Sequence, residues 1–201
     1  VAFIIAGLIG LVLGLINGGL IAFLKLPTLI ITLGTGSIYL GFMQAVLKSR
    51  VISVLPEPIS KLSKSYLFTA HNKGLGISSS LPSVFILLIV TVVLVYFILN
   101  RTMLGRGIYA LGGDIIACER AGFNVARLQY FIYGFMGGLA GVAGMTRTVL
   151  TGSCQPTTLI GFELTCIAAV ILGGTRITGG HGTVKGALLG ALLITMVSNS
   201  L

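Results

Sequence analysis

Residues 83–99 read SVFILLIVTVVLVYFIL, a run without a single charge. A transmembrane helix needs ~20 mostly apolar residues. The run has no period-2 alternation and is too long for a barrel strand. It extends to a candidate span at 82–100, and further candidates lie at about 1–24, 28–47, 129–147, 158–173 and 184–201. The fifth of these six, 158–173, is short and carries Glu163 near its start. Composition agrees: mean hydropathy is +1.07 and only 8% of the 201 residues are charged, against roughly 25% in a soluble domain. No water-soluble fold of this size hides so much apolar surface. The expected fold class is all-α: a polytopic membrane protein of about six transmembrane helices, forming a single membrane domain over 1–201. The chain opens on VAFIIAG without Met and ends inside an apolar run, SNSL, so a fragment of a longer protein is expected.

The formal net charge of +9 raises nucleic acid as a partner. The Lys and Arg are scattered over the loops, with no basic stripe and no interleaved aromatics, so that reading is set aside. Loop cations that hold topology and meet anionic membrane lipid are the better account. The positive-inside rule does not orient the chain: the first, third and fifth inter-span loops hold seven cations, the second and fourth six. Cys118, Cys154 and Cys166 show neither a pairing pattern nor metal spacing.

Glycines recur at intervals of four: Gly10, Gly14 and Gly18; Gly134 and Gly138; Gly137 and Gly141; Gly182, Gly186 and Gly190. Small residues at this spacing let helix backbones approach closely in lipid. The partner helix is open, in this chain or in a second copy. Between the second and third spans, residues 48–81 are rich in Ser and Lys and contain Pro56 and Pro58, which reads as an exposed loop.

Charge gathers in LGRGIYALGGDIIACERAGFNVARLQ, residues 104–129, which hold Arg106, Asp114, Glu119, Arg120 and Arg127. Gly112 and Gly113 break the chain there. Asp114 suits the N-cap of a short helix over IIACERA, Gly122 suits its left-handed C′ position, and Asn124 suits the cap of the next helix. Ile115, Ile116 and Cys118 fall on one side of the short helix, Glu119 and Arg120 on another. The stretch is either a solvated connector or a docking element that passes a push from a soluble partner into the membrane domain.

Catalytic constellations are missing. LGGTRITGGHGTVKGALLG, residues 172–190, has P-loop glycine spacing at Gly174 and Gly179, but Gly180 and His181 stand where Lys and Ser/Thr are needed. A tight interfacial turn explains it better. His71 and His181 are isolated, and the four acidic residues form no pair. No enzyme, no metal site and no cofactor are expected in this chain. Asn17, Thr32, Thr35, Ser37 and Gln44 lie inside spans. They line a polar pathway or make interhelical hydrogen bonds, and the sequence favours neither. Glu163 is the only acid within an apolar run. An ionisable group there is a functional site or an interfacial residue.

Three stretches together resemble ribose-type ABC importer permeases: NGGLIAFLKLPTLIITLGTGSIYLGF at 17–42, RTMLGRGIYALGGDIIACERAGFNVARLQ at 101–129, and QPTTLIGFELTCIAAVILGGTRITGGHGTVKGALLGALL at 155–193. The resemblance runs in order over most of the chain. It implies a multi-pass subunit of the bacterial inner membrane that pairs with a second permease copy. ATP-binding ABC ATPase subunits dock from the cytoplasm, so ATP is held by the partner, and a periplasmic solute-binding protein delivers a monosaccharide or similar small polar solute. It places the first, third and fifth loops inside and makes 48–81 a periplasmic loop. Residues 101–128 become a cytoplasmic coupling loop, with Gly105, Arg106, Gly112, Gly113, Asp114, Glu119, Arg120 and Gly122 as ATPase-coupling residues. Asn17, Thr32, Thr35, Gln44 and Glu163 are the candidates for the translocation path. The rival class is a secondary transporter driven by an ion gradient, with Glu163 as its ion site.

Overall fold

A computed structural model describes residues 1–24, 26–48, 66–72, 77–155 and 157–200. Eight helices form among them: α1 (Ala2–Leu24), α2 (Thr28–Leu47), α3 (Phe85–Arg101), α4 (Met103–Gly113), α5 (Ile115–Arg120), α6 (Val125–Thr151), α7 (Phe162–Leu172) and α8 (Val184–Ser200). A helix therefore stands at each of the six apolar runs. Only α1 and α2 are long and apolar enough to span a bilayer unaided, while α3 and α4 qualify as one span broken by a 76° bend. With 11 residues, α7 is about 16 Å long, roughly half the hydrocarbon thickness. The chain is a polytopic α-helical membrane protein.

One departure lies in the stretch 48–81, read as a loop. Residues 49–65 and 73–76 are outside the described residues, but β1 (Tyr66–Asn72) and β2 (Ile77–Pro82) pair as an antiparallel hairpin. Thr69 faces Ser80 and Asn72 faces Ile77, with an irregularity between Tyr66 and Phe68. Ser-rich β2 carries no alternating apolar pattern, which is why the strand signal is weak in sequence.

The chain forms two compact units, Val1–Thr91 with Tyr133–Pro156, and Val92–Ile132 with Thr157–Leu201. In the first, α1 packs on the later part of α6 through glycine. A Cβ on Gly10 would run into the backbone of Gly137, and one on Gly14 into that of Tyr133. One on Gly137 would stand 2.8 Å from Gly14 Cα. Only glycine permits so close an approach, so the fourfold spacing serves packing within this chain. Tyr39 of α2 donates its hydroxyl to the Leu13 carbonyl of α1 at 3.5 Å. Ile21, Ile31, Val84 and Val149 are buried. Most large side chains of α1 and α2 are exposed on the chain itself, as expected where the solvent is lipid.

In the second unit, α7 and α8 form an antiparallel pair held the same way. A Cβ on Gly173 would meet the Gly186 backbone, 2.5 Å from its carbonyl carbon, and one on Gly190 would lie 2.8 Å from Gly173 N. The elbow between α3 and α4 rests on one hydroxyl. Thr102 Oγ1 donates to the Ile98 carbonyl at 2.6 Å and accepts from the Gly105 N–H at 3.2 Å. A side chain on Gly105 would meet the Ile98 carbonyl at 2.6 Å, so the tight inner corner requires glycine.

Candidate functional site

The charged stretch folds as its local chemistry dictates. Asp114 has extended backbone, and its carboxylate accepts from the N–H groups of Ile116 at 2.8 Å and Ala117 at 3.3 Å. Two of the free donors at the start of α5 are thereby satisfied. Gly122 is left-handed, with φ +85°, and its N–H donates to the Glu119 carbonyl at 2.9 Å. The next N–H, of Phe123, reaches Cys118 O at 3.2 Å. Asn124 Oδ1 accepts from the Arg127 N–H at 3.1 Å and caps α6. All three caps stand where the sequence places them. Gly112 and Gly113 are the last two residues of α4, so the pair ends a helix that the sequence reading folded into a loop.

The faces of α5 differ from expectation. Cys118 is 1% exposed, but Ile115 and Ile116 stand 53% and 61% exposed. Six residues make fewer than two turns, so one position carries the inward contact. Cys118 lies over Gly107, its thiol 3.8 Å from the Gly107 carbonyl. Gly107 is itself enclosed, since a Cβ there would meet Phe123 and Leu128 side chains at 3.0 Å. Arg106, Glu119 and Arg120 are exposed. An open groove runs beside the start of α5, lined by Leu111, Ile115, Ile116, Ile177 and Thr178 among others, with a volume of about 680 Å³.

Across that groove the loop between α7 and α8 comes up to α4. Gly112 touches Gly180: a Cβ on Gly112 would be 2.6 Å from Gly180 N. Tyr109 donates its hydroxyl to the Gly182 carbonyl at 3.0 Å. The third and fifth inter-span loops are thus in contact. Tyr109 escaped the sequence reading, which took Gly179 and Gly180 for a tight turn and Gly182 for a helix-packing glycine and did not bring them to α4. The signal available was the pairing of Gly112-Gly113 with Gly179-Gly180, two doublets of residues that admit backbone against backbone.

The proposed path residues fall in different settings. Asn17, on α1, is half-buried, and its side-chain carbonyl oxygen is enclosed without a hydrogen-bond donor among the described residues. Thr32 and Thr35 donate to the carbonyls of Thr28 and Ile31, both at 2.9 Å, and Ser37 donates to Leu33 O at 3.0 Å. These hydroxyls satisfy their own helix, a use the sequence reading did not weigh. Gln44 is half-buried on α2. Glu163 stands exposed in the first turn of α7, where a helix N-terminus favours an acid.

Caps, glycine seams and apolar helices define a polytopic α-helical membrane protein with a structured connector at one face. Residues 1–201 match the family described as branched-chain amino acid transport system permease components, and the chain belongs to that family. It is a transport permease family, not an enzyme family. The chain is 36% identical over 194 residues to the ribose import permease protein RbsC of Haemophilus influenzae, covering 96% of this chain and 58% of that protein. It is 31% identical to the autoinducer 2 import system permease protein LsrC of Photorhabdus luminescens, covering 96% and 55%. It is 33% identical to LsrC of Salmonella choleraesuis, covering 96% and 53%. The chain therefore spans little more than half the length of these relatives. No solved structure matches.

Proposed function

We propose that this chain belongs to the permease subunit of a binding-protein-dependent ABC importer in the bacterial inner membrane. It translocates a monosaccharide or similar small polar solute, the class suggested by the ribose and autoinducer 2 of its relatives' names. Energy comes from ATP on a separate ATPase subunit, and a periplasmic binding protein delivers the solute. A second permease copy completes the path. Residues 101–128 face the cytoplasm and couple to the ATPase, 48–81 faces the periplasm, and Asn17, Thr32, Thr35, Gln44 and Glu163 remain candidates for the path.

The observation that carries this reading is α5 with its surroundings. A helix of six residues is marginal alone, yet this one is capped by Asp114 at one end and closed by Gly122 at the other. It presents Ile115 and Ile116 outward beside a groove. Such a knob is suited to seat in a complementary cleft and to move as a unit. A solvated connector needs neither exposed isoleucines nor two caps.

The test is capture in membranes of cells expressing the whole reading frame. Cys118 is too buried to carry a probe, so Ile116→Cys takes a photo-crosslinker with the three native cysteines replaced. Capture of a soluble ATPase is expected. Labelling of that cysteine from outside intact cells, or uptake that collapses with an ionophore while ATP is maintained, would favour a secondary transporter instead.

A further inference from the structure

Resting on the coupling role just proposed, we infer that the glycine loop between α7 and α8 is a clamp that carries displacement of α5 into the α7–α8 pair, with Tyr109, Gly112 and Gly179 as its positioning residues. Tyr109 and Gly112 are three apart on α4 and therefore share a face. The loop meets that face at both points, by the Tyr109 hydroxyl on Gly182 O at 3.0 Å and by backbone on backbone at Gly112. A Cβ on Gly179 would lie 3.0 Å from Gly112 Cα, and one on Gly180 would lie 3.1 Å from Gly113 Cα. No flexible side chain intervenes to absorb movement at this second point.

The loop is itself stiff. The Arg176 N–H donates to His181 O and the Gly179 N–H to Arg176 O, both at 3.1 Å. Gly174, Gly179 and Gly180 have φ of +87°, +87° and +74°, a region other residues enter only with strain. Downstream, Thr183 Oγ1 accepts from the Gly186 N–H at 3.1 Å. That ties the loop to the first turn of α8, and the Gly173–Gly186 contact ties α8 to α7. Asp114 belongs at once to the end of α4 and the cap of α5. Motion of α5 thus reaches α4 through Asp114 and the Cys118–Gly107 contact, the loop through two contacts and the helix pair through glycine backbone. Every link is a close contact within one compact unit, a packed route of the kind that carries energetic coupling.

Glycine 174 supplies a matched control. Its φ equals that of Gly179, but a Cβ there would meet nothing within 4 Å. Gly174→Ala and Gly179→Ala therefore share backbone strain and differ in the contact with α4. Tyr109→Phe removes the hydroxyl and keeps the ring.

The experiment uses the intact transporter in proteoliposomes with its ATPase and binding protein, scoring solute taken up per ATP hydrolysed. Tyr109→Phe should keep ATPase co-purification and basal hydrolysis while uptake per ATP falls about fivefold, the worth of one hydrogen bond. Gly179→Ala should lower the ratio about tenfold or more, as overpacking of a tight contact does, and Gly174→Ala should leave it unchanged. An unchanged ratio in Tyr109→Phe overturns the inference, even if Gly179→Ala fails to fold. Equal losses in the two glycine variants overturn it as well. A wild-type protein that binds no ATPase refutes the coupling role and the clamp together, whereas a coupled wild type with coupled variants refutes the clamp alone.

Discussion

Substitute Gly137 by Ala. The new methyl would stand 2.8 Å from Gly14 Cα and 3.0 Å from Gly14 N, and closer still to the Gly10 carbonyl. Carbon atoms rest about 3.5–4.0 Å apart, so α1 and α6 must part by about 0.7–1.2 Å. A gap of that size forfeits a quarter to a half of each dispersion contact along the seam. Overpacking of this kind costs about 1–3 kcal/mol. Gly138 is the control, one residue along the same helix. A Cβ there would meet nothing nearer than Gly7 O at 3.6 Å and Leu11 Cβ at 3.8 Å. Both variants share the helix-propensity gain of alanine, up to about 1 kcal/mol, which cancels in the comparison. Gly137→Ala should therefore be less stable than Gly138→Ala by about 1–3 kcal/mol, or about 2–4 °C in Tm per kcal/mol. The assay is thermal unfolding of the intact protein in detergent, followed by loss of the native size-exclusion peak. Coincident melting of the two variants, or a lower Tm for Gly138→Ala, would refute the glycine seam.

Asp114→Ala removes the acceptor for two N–H groups and should cost α5 about 1 kcal/mol; amide exchange at residues 115–118 should quicken about fivefold, and unchanged exchange would show that the cap does not hold the helix. Asn17→Leu removes an enclosed oxygen that lacks a donor among the described residues, so it should raise stability by about 1 kcal/mol. A lower Tm would mean that this oxygen has a partner in the membrane.

Much of this structure is written locally. The apolar runs at 1–24 and 28–47 are long enough to name α1 and α2, since a span is a matter of length and apolarity. Asp114, Gly122 and Asn124 mark the ends of α5 and the start of α6 because a cap acts within three residues of itself. Features set by distant residues are not legible in this way. Spacing shows that Gly10 and Gly14 admit a close neighbour, but the identity of that neighbour, Gly137 and Tyr133, is a tertiary fact. Ile115 and Ile116 look like inward residues by periodicity, yet only Cys118 finds a glycine surface to rest on. The meeting of Gly112 with Gly180 joins positions far apart in sequence, and the two glycine doublets show only that each admits a close neighbour, not that they meet.

The elbow at Thr102 gives the last consequence. One hydroxyl fastens the end of α3 to the start of α4, with the two axes 76° apart. A helix joined to another at nearly a right angle works as a crank. A shift of α3 along its own axis merely carries α4 with it, but a twist of α3 sweeps the far tip of α4 through an arc. The 11 residues of α4 make an arm of about 16 Å. A twist of about 20° would then move Gly113, and Asp114 beyond it, by about 5–6 Å, one helical pitch. If a partner seats on α5 as proposed, torque applied at that tip would return to α3 as a turn about its axis.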